Sequence, residues 1–587
     1  MIEERDLRVR MRDGVRLAID VYRPDGKGPF PVLYAAALHN KDMQGPDMAD
    51  VLAPQPANAP LWFGPIEAGD TRRFIANGYV HVIAQPRGSA KSEGQYGNEN
   101  IDHYDVIEWI SQQPWCGGNV GMVGISGYAG EQWRAAAQGH PALKAIFPYD
   151  ACSAYGGMFG FRDFYPGGVL HTFPYLLDVF STVHEHRDIP GELPPEEEEL
   201  FAAATANPDF KMYANLYNIL TQKGRRTFIM YHSMVAPWEP DGTVEAAEEN
   251  FKKIKIPFYT GSGAYAYTYK LHWLGAQHYF QNVKKAPRKL LFTGPAHLER
   301  PFHQYHDEII RWYDHWLKGV ENGIMDEPPV RYWLMGANEW RTGTDWPLPE
   351  TQWTKYYLSH WETLSTEPPR PASELGAAAR EPDVFTQMPV TRTTKVERLR
   401  YMTEPFAKDL TVVGPISLTL YAAIDKVDTN WILILKDVGP DVSVVTARQG
   451  ERTVPANLPE RELTRGWLKA SYRALDPTRS KPGQPFHKLT LNSIKPVQPG
   501  EILEYQIQIL ATANQFKAGH RLCLEITAMD VPTGTGAMTD VEYIPYHVCR
   551  SETVTHSIYH DAEQPSHLLL PVIPKSYRPP PQRSRLQ

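Results

Sequence analysis

Apolar and polar residues alternate over 8–12 and 15–19 on either side of Asp13-Gly14, a pattern that predicts a β-hairpin. Short apolar runs at 31–35 and 80–84 then read as buried strands. Over 104–110, Val106, Ile107 and Ile110 share one face at helical spacing. A strand at 120–124, a helix from about 131 to 138 and a strand at 143–147 come next. Strands separated by helices of this length predict a parallel sheet with helices on both sides. The rhythm breaks between about 151 and 255, where the acidic run 196–199 after Pro194-Pro195 and helical spacing at 200–204 predict a mostly helical insertion. It resumes with strands at 256–260 and 289–293 and a long amphipathic helix over 305–318, stopped by Gly319.

Beyond Pro328 short β-rich segments recur at 330–335, 410–421, 431–436, 503–510, 522–527 and 551–559, separated by turn residues. They predict an antiparallel sandwich or jelly roll. The expected organisation is an α/β core in two parts (1–150 and 256–325), an inserted helical unit (151–255), an all-β unit (328–574) and a basic, Pro-rich tail (575–587). A Pro, Glu and Ala-rich linker at 366–382 lies near the start of the β-rich unit.

At 587 residues the chain is too long for one core. Its net charge of −8 leaves no basic field to hold a nucleic-acid backbone. Cys116, Cys152, Cys523 and Cys549 are scattered, with no C-x-x-C pair, which fits a reducing compartment. The charged N-terminus has no apolar h-region, and no segment is apolar enough to span a bilayer. The expectation is a soluble, cytoplasmic protein without nucleic-acid or membrane partners. Two groupings resemble metal ligands, His303, His306 and Asp307 near a helix start, and His184-Glu185-His186. The first reads as a charge-paired helix, with Asp307 facing Arg311, and the second as a charged loop, so neither metal nor cofactor is expected.

The chemistry concentrates at Gly124-Ile125-Ser126-Gly127-Tyr128, between a predicted strand and a predicted helix. A sharp strand-to-helix turn lifts a serine hydroxyl above the sheet's carboxyl edge. There the Gly127 N–H can donate to an oxyanion. Tyr128 stands where G-x-S-x-G has its second glycine, and a tight turn with an incidental serine fits the spacing equally well. His297 follows the strand at 289–293, on the same sheet edge, and is the candidate general base, with His303 and His306 as rivals. The strand at 256–260 runs into 261–267, which holds no carboxylate. Asp150 ends the preceding strand and is the candidate acid, on its position at the sheet edge. A loop-capping role is the competing reading of Asp150.

The chain resembles the cocaine-esterase-like (CocE/NonD) hydrolases, related to X-Pro dipeptidyl-peptidases and α-amino-acid ester hydrolases. The resemblance rests on Asp20-Val21-Tyr22-Arg23-Pro24, Pro86-Arg87-Gly88-Ser89, Gln113-Pro114-Trp115, Gly118-Asn119-Val120-Gly121-Met122 leading into Ser126, Gly294-Pro295 before His297, and the run 310–319. It implies an α/β-hydrolase core with a helical cap inserted after the sixth strand and a C-terminal jelly roll. It also implies acyl transfer to water through an acyl-serine, without metal. Ser126 matches the nucleophile; His297 matches the base, one residue earlier than usual after Gly-Pro. The family's oxyanion-hole tyrosine is replaced by His39, with Gly127 N–H as the other donor, and the family's aspartate is missing from 261–267.

Two other readings compete: an aminoacyl peptidase with a cap carboxylate holding the substrate ammonium, and a non-catalytic relative using the jelly roll to bind. The expected partner is a small-molecule ester or amide, with homo-oligomerisation left open.

Overall fold

The computed structural model describes residues 1–37, 39–48, 67–95, 102–155, 161–172, 193–221, 229–263, 272–293, 301–371, 374, 381–442, 458–530 and 547–575. The opening hairpin forms as β1 (Ile2–Arg10) and β2 (Arg16–Arg23), antiparallel with Arg10 opposite Arg16. The first sheet continues with β3 (Phe30–Ala36), β4 (Val80–Ala84), β5 (Cys116–Met122), β6 (Leu143–Ile146), β7 (Phe258–Gly263), β8 (Arg288–Thr293), β9 (Val330–Leu334) and β10 (Glu339–Gly343). Its order is β1-β2-β4-β3-β5-β6-β7-β8-β9-β10. All neighbours from β4 to β9 are parallel.

Both faces of this sheet are covered, and the sequence shows why. Along β3, Val32 and Tyr34 enter one apolar cluster while Leu33 and Ala35 enter the other, the two-residue alternation of a pleated strand. A strand buried on both faces needs apolar residues at every position, so β4 is buried throughout. On the first face lie α2 (Asp102–Ser111) and α3 (Gly127–Gln138), through Ile107, Ile110, Ala129 and Trp133. On the second lie α1 (Thr71–Ala76) and α9 (Pro301–Lys318), through Phe74, Ile309, Trp312, Tyr313 and Leu317.

Between β6 and β7 the chain is helical wherever it is described: α4 (Pro195–Ala206), α5 (Ala214–Thr221), α6 (Ile229–Val235) and α7 (Thr243–Lys253), with single turns at Phe161–Phe164 and Pro208–Lys211. These helices share a small core with the C-terminal part, where Phe210, Leu216 and Met234 meet Met529 and Val548. Arg162 makes a bidentate ion pair with Glu239 at 2.8 and 2.7 Å and also donates to the His487 carbonyl. Arg479 reaches Glu248 on α7 at 2.7 Å.

Among the described residues, eleven strands from Gln352–Ser359 to His567–Ile573 form a second sheet. Leu410–Ile424 pairs with Leu503–Phe516 and also with His567–Ile573, so this sheet curls back on itself. One pairing departs from the antiparallel expectation: Thr363 and Leu364 run parallel to Met402 and Thr403.

Two further expectations are corrected. The segment at 330–335, expected in the C-terminal β-rich unit, supplies β9, which pairs in parallel with β8 through Leu290 and Val330. Asp307 pairs with Arg73 of α1, not with Arg311, whose guanidinium is drawn to Glu327 at 2.6 Å. Among the described residues no helix is long and apolar enough to cross a membrane.

Candidate active site

The polypeptide turns from β5 into α3 within four residues, and the helix starts directly after Ser126, earlier than its spacing predicted. Ser126 has φ 54° and ψ −115°, a conformation that L-residues avoid. Hydrogen bonds hold it there. Ile125 N–H donates to the Glu67 carbonyl at 3.1 Å, and Ser126 N–H donates to the Tyr149 carbonyl at 3.2 Å. Gly124 has φ 126°, and a Cβ there would collide with Tyr128 Cβ. The space that Gly124 leaves is what lets Tyr128 stand at the motif's second glycine position. Gly127 N–H opens α3, where helix geometry supplies no carbonyl acceptor and the dipole is positive.

Asp150 lies on the next strand, just past β6. Tyr149 bridges Ile125 on one side and Gly261 on the other, and Asp150 N–H donates to the Gly261 carbonyl at 2.8 Å. The elbow, the β6 extension and β7 are thus stitched together in sequence. The Asp150 side chain is fully buried and accepts a 2.6 Å hydrogen bond from Ser262 Oγ. Burial pushes its carboxyl up to about 6, against the opposing effects of His272, the Ser262 hydroxyl and the Gly263 N–H. His272 opens α8 (His272–Asn282), which packs so tightly on the β6 extension that a Cβ on Gly275 would collide with the Ala151 and Cys152 carbonyls. Ser262 and His272 were not singled out in the sequence. The available signal was a β7 that offers Gly-Ser-Gly, a hydroxyl between two small residues, where a carboxylate was sought.

Tyr149 Oη and Thr293 Oγ1 are 2.8 Å apart, which joins the Asp150 segment to the last residue of β8. His297 follows in the chain; it and the stretch at 264–267 lie outside the described residues, as does His184-Glu185-His186. His306 is buried with its ring 6.4 Å from that of Phe74. No grouping of three or more metal-ligand side chains occurs among the described residues.

His39 sits past the carboxyl end of β3, almost wholly buried, with its Nε2 3.0 Å from Glu67 Oε2. Its ring centroid is 6.1 Å from that of Tyr128. Glu67 therefore touches both parts of the site, by its side chain to His39 and by its carbonyl to Ile125. Sequence reasoning missed Glu67.

This geometry agrees with what the chain is similar to. Residues 13–299 match the family model of the X-Pro dipeptidyl-peptidase (S15 family), and residues 322–569 match that of the X-Pro dipeptidyl-peptidase C-terminal non-catalytic domain. A cocaine esterase of Rhodococcus sp. (strain MB1 Bresler) is 27% identical, over 96% of this chain and 97% of that protein. The chain belongs to the CocE/NonD hydrolases. It is a serine hydrolase. The fold of this CocE/NonD hydrolase is that of a family member from Staphylococcus aureus, with a TM-score of 0.74 at 23% identity, covering 98% of this chain and 94% of that one. An aminopeptidase from the marine sediment archaeon Thaumarchaeota archaeon shares the fold at a TM-score of 0.70 and 17% identity, over 98% and 96% of the two chains.

Proposed function

We propose that this hydrolase cleaves a small-molecule carboxylic ester through an acyl-enzyme on Ser126. The proposed architecture is an α/β-hydrolase core over 1–150 and 256–325, a helical cap over 151–255 and a C-terminal jelly roll. The observation that carries the reading is Ser126 at φ 54° on a strand-to-helix turn, with the Gly127 N–H beside it and buried Asp150 on the neighbouring strand.

In this reaction Ser126 Oγ attacks the ester carbonyl carbon while His297 takes the hydroxyl proton. The carbonyl oxygen becomes an oxyanion, held by Gly127 N–H and by His39. The C–O bond to the alcohol then breaks, and the proton on His297 passes to the departing oxygen. Water repeats the sequence on the acyl-serine, giving the carboxylic acid and restoring Ser126. Asp150 accepts from the imidazole and stabilises its charged form. The charge of His272 and the Ser262 hydroxyl favour the ionised form of Asp150 against its burial.

The X-Pro dipeptidyl-peptidase descriptions of both matching family models favour a second reading, amide cleavage by the same serine. A panel of p-nitrophenyl esters and X-Pro or aminoacyl p-nitroanilides separates the two. The ester reading expects turnover of at least one p-nitrophenyl ester with kcat/KM above that for every anilide. Preferential anilide turnover would overturn it in favour of the peptidase.

A further inference from the structure

The least expected feature of the site is a buried carboxylate against the candidate oxyanion-hole histidine. The two side chains come from loops 28 positions apart and meet with Nε2 and Oε2 3.0 Å apart, each less than 5% exposed. The same Glu67 takes the Ile125 N–H on its carbonyl, one residue before the nucleophile. Its backbone role and its side-chain role are therefore separable.

An imidazole that donates Nε2–H to a carboxylate has two forms. When neutral, its Nδ1 carries a lone pair and repels an oxyanion; when doubly protonated, Nδ1–H donates to it. Donation from His39 in this geometry thus requires the imidazolium, and a carboxylate in contact is the group that favours that form. A family that ordinarily places a neutral tyrosine hydroxyl at this point has no use for such a counter-charge. Here the histidine does.

We infer that Glu67 is a positioning residue of the oxyanion hole, holding His39 as the imidazolium whose Nδ1–H faces the oxyanion formed at Ser126. The inference rests on the reading of Ser126 and His39 given under the proposed function. Among the described residues, the titratable groups beside His39 are Glu67 from the segment before α1 and Tyr128 from α3. Lys41 lies two residues along, held by Asp20 and Asp42 at 2.8 and 2.7 Å. Tyr128 is pushed well above the ordinary phenol value by burial and by Glu67, so it stays neutral across the range tested.

The test is the rate of Ser126 phosphonylation by an alkyl fluorophosphonate, which places a phosphoryl oxygen where the oxyanion would sit. Full-length wild type, Glu67→Gln, His39→Tyr and the double variant are compared at pH 6 and pH 8. Glu67→Gln keeps the carbonyl that holds Ile125 and lacks only the counter-charge. Its rate relative to wild type is expected to fall about 10-fold or more at pH 8, within the range for weakening one oxyanion donor, and by less at pH 6, where His39 binds its second proton without help. The double variant is expected to react at the rate of His39→Tyr, since a tyrosine hydroxyl donates without a counter-charge. A Glu67→Gln loss that is equal at both pH values, or a double variant that falls by the product of the two single losses, would overturn the inference. Wild type that takes no label at Ser126 would overturn the nucleophile reading itself, a different outcome from either.

Discussion

Ser126→Ala is expected to lower kcat for p-nitrophenyl ester hydrolysis by about 10⁶-fold, leaving only what binding and the oxyanion donors supply. The loss is chemical, because alanine meets the same backbone cost at φ 54° as serine does. A second substitution makes this separable from stability. Ser126→Gly removes the same hydroxyl, but glycine adopts positive φ freely. It is expected to be as inactive as Ser126→Ala and more stable than wild type by about 1–3 kcal/mol, the usual cost of holding a side chain in a sparsely populated region. Steady-state kinetics and denaturant unfolding of the three proteins check both halves. Equal stability of the glycine and alanine variants would mean that the elbow's strain has been relieved elsewhere.

Asp150→Asn is expected to lower kcat by about 10⁴-fold, the loss seen when a triad carboxylate becomes an amide that leaves the histidine in the wrong tautomer. The pH dependence has a definite sign. Burial raises the Asp150 carboxyl to about 6, and only its ionised form can stabilise an imidazolium, so wild-type kcat/KM should fall as the pH drops through about 6. Stability runs the other way. A carboxyl whose folded value is raised contributes stability that is fully present below its unfolded value and is lost as the pH rises through about 6, on the order of 3 kcal/mol for a fully buried group. Asp150→Asn should therefore be more stable than wild type at pH 8 and gain little at pH 4. Retention of wild-type kcat in Asp150→Asn would place the triad acid at another residue.

The parts of this fold that could be read from sequence are those whose burial is symmetric. At 80–84 every position faces a packed layer, the apolar run is continuous, and the strand was expected over the residues that form it. β9 misled for the converse reason. Its burial alternates along Val330–Leu334, so a strand near the end of a parallel sheet carries the pattern of a half-exposed antiparallel one. The start of α3 was placed late because Gly127, Ala129 and Gly130 give no amphipathic spacing; the turn is specified by close contacts, with Gly124 making room for Tyr128. Ser126 and Asp150 were visible because each stands at the carboxyl end of a strand. Glu67 and His272 were not, since their relations to His39 and Asp150 are made by the fold across 28 and 122 positions and leave no periodicity behind.

The central claim is that Ser126 is the nucleophile. Its most direct measurement is to incubate the full-length chain with an alkyl fluorophosphonate and locate the adduct by peptide mapping. Ser126 Oγ should displace fluoride and form the P–O bond, giving one phosphonyl group per chain, on the peptide containing Gly124 to Tyr128, with esterase activity lost in proportion. A phosphonyl group on any other residue, or loss of activity with Ser126 unmodified, would contradict the claim.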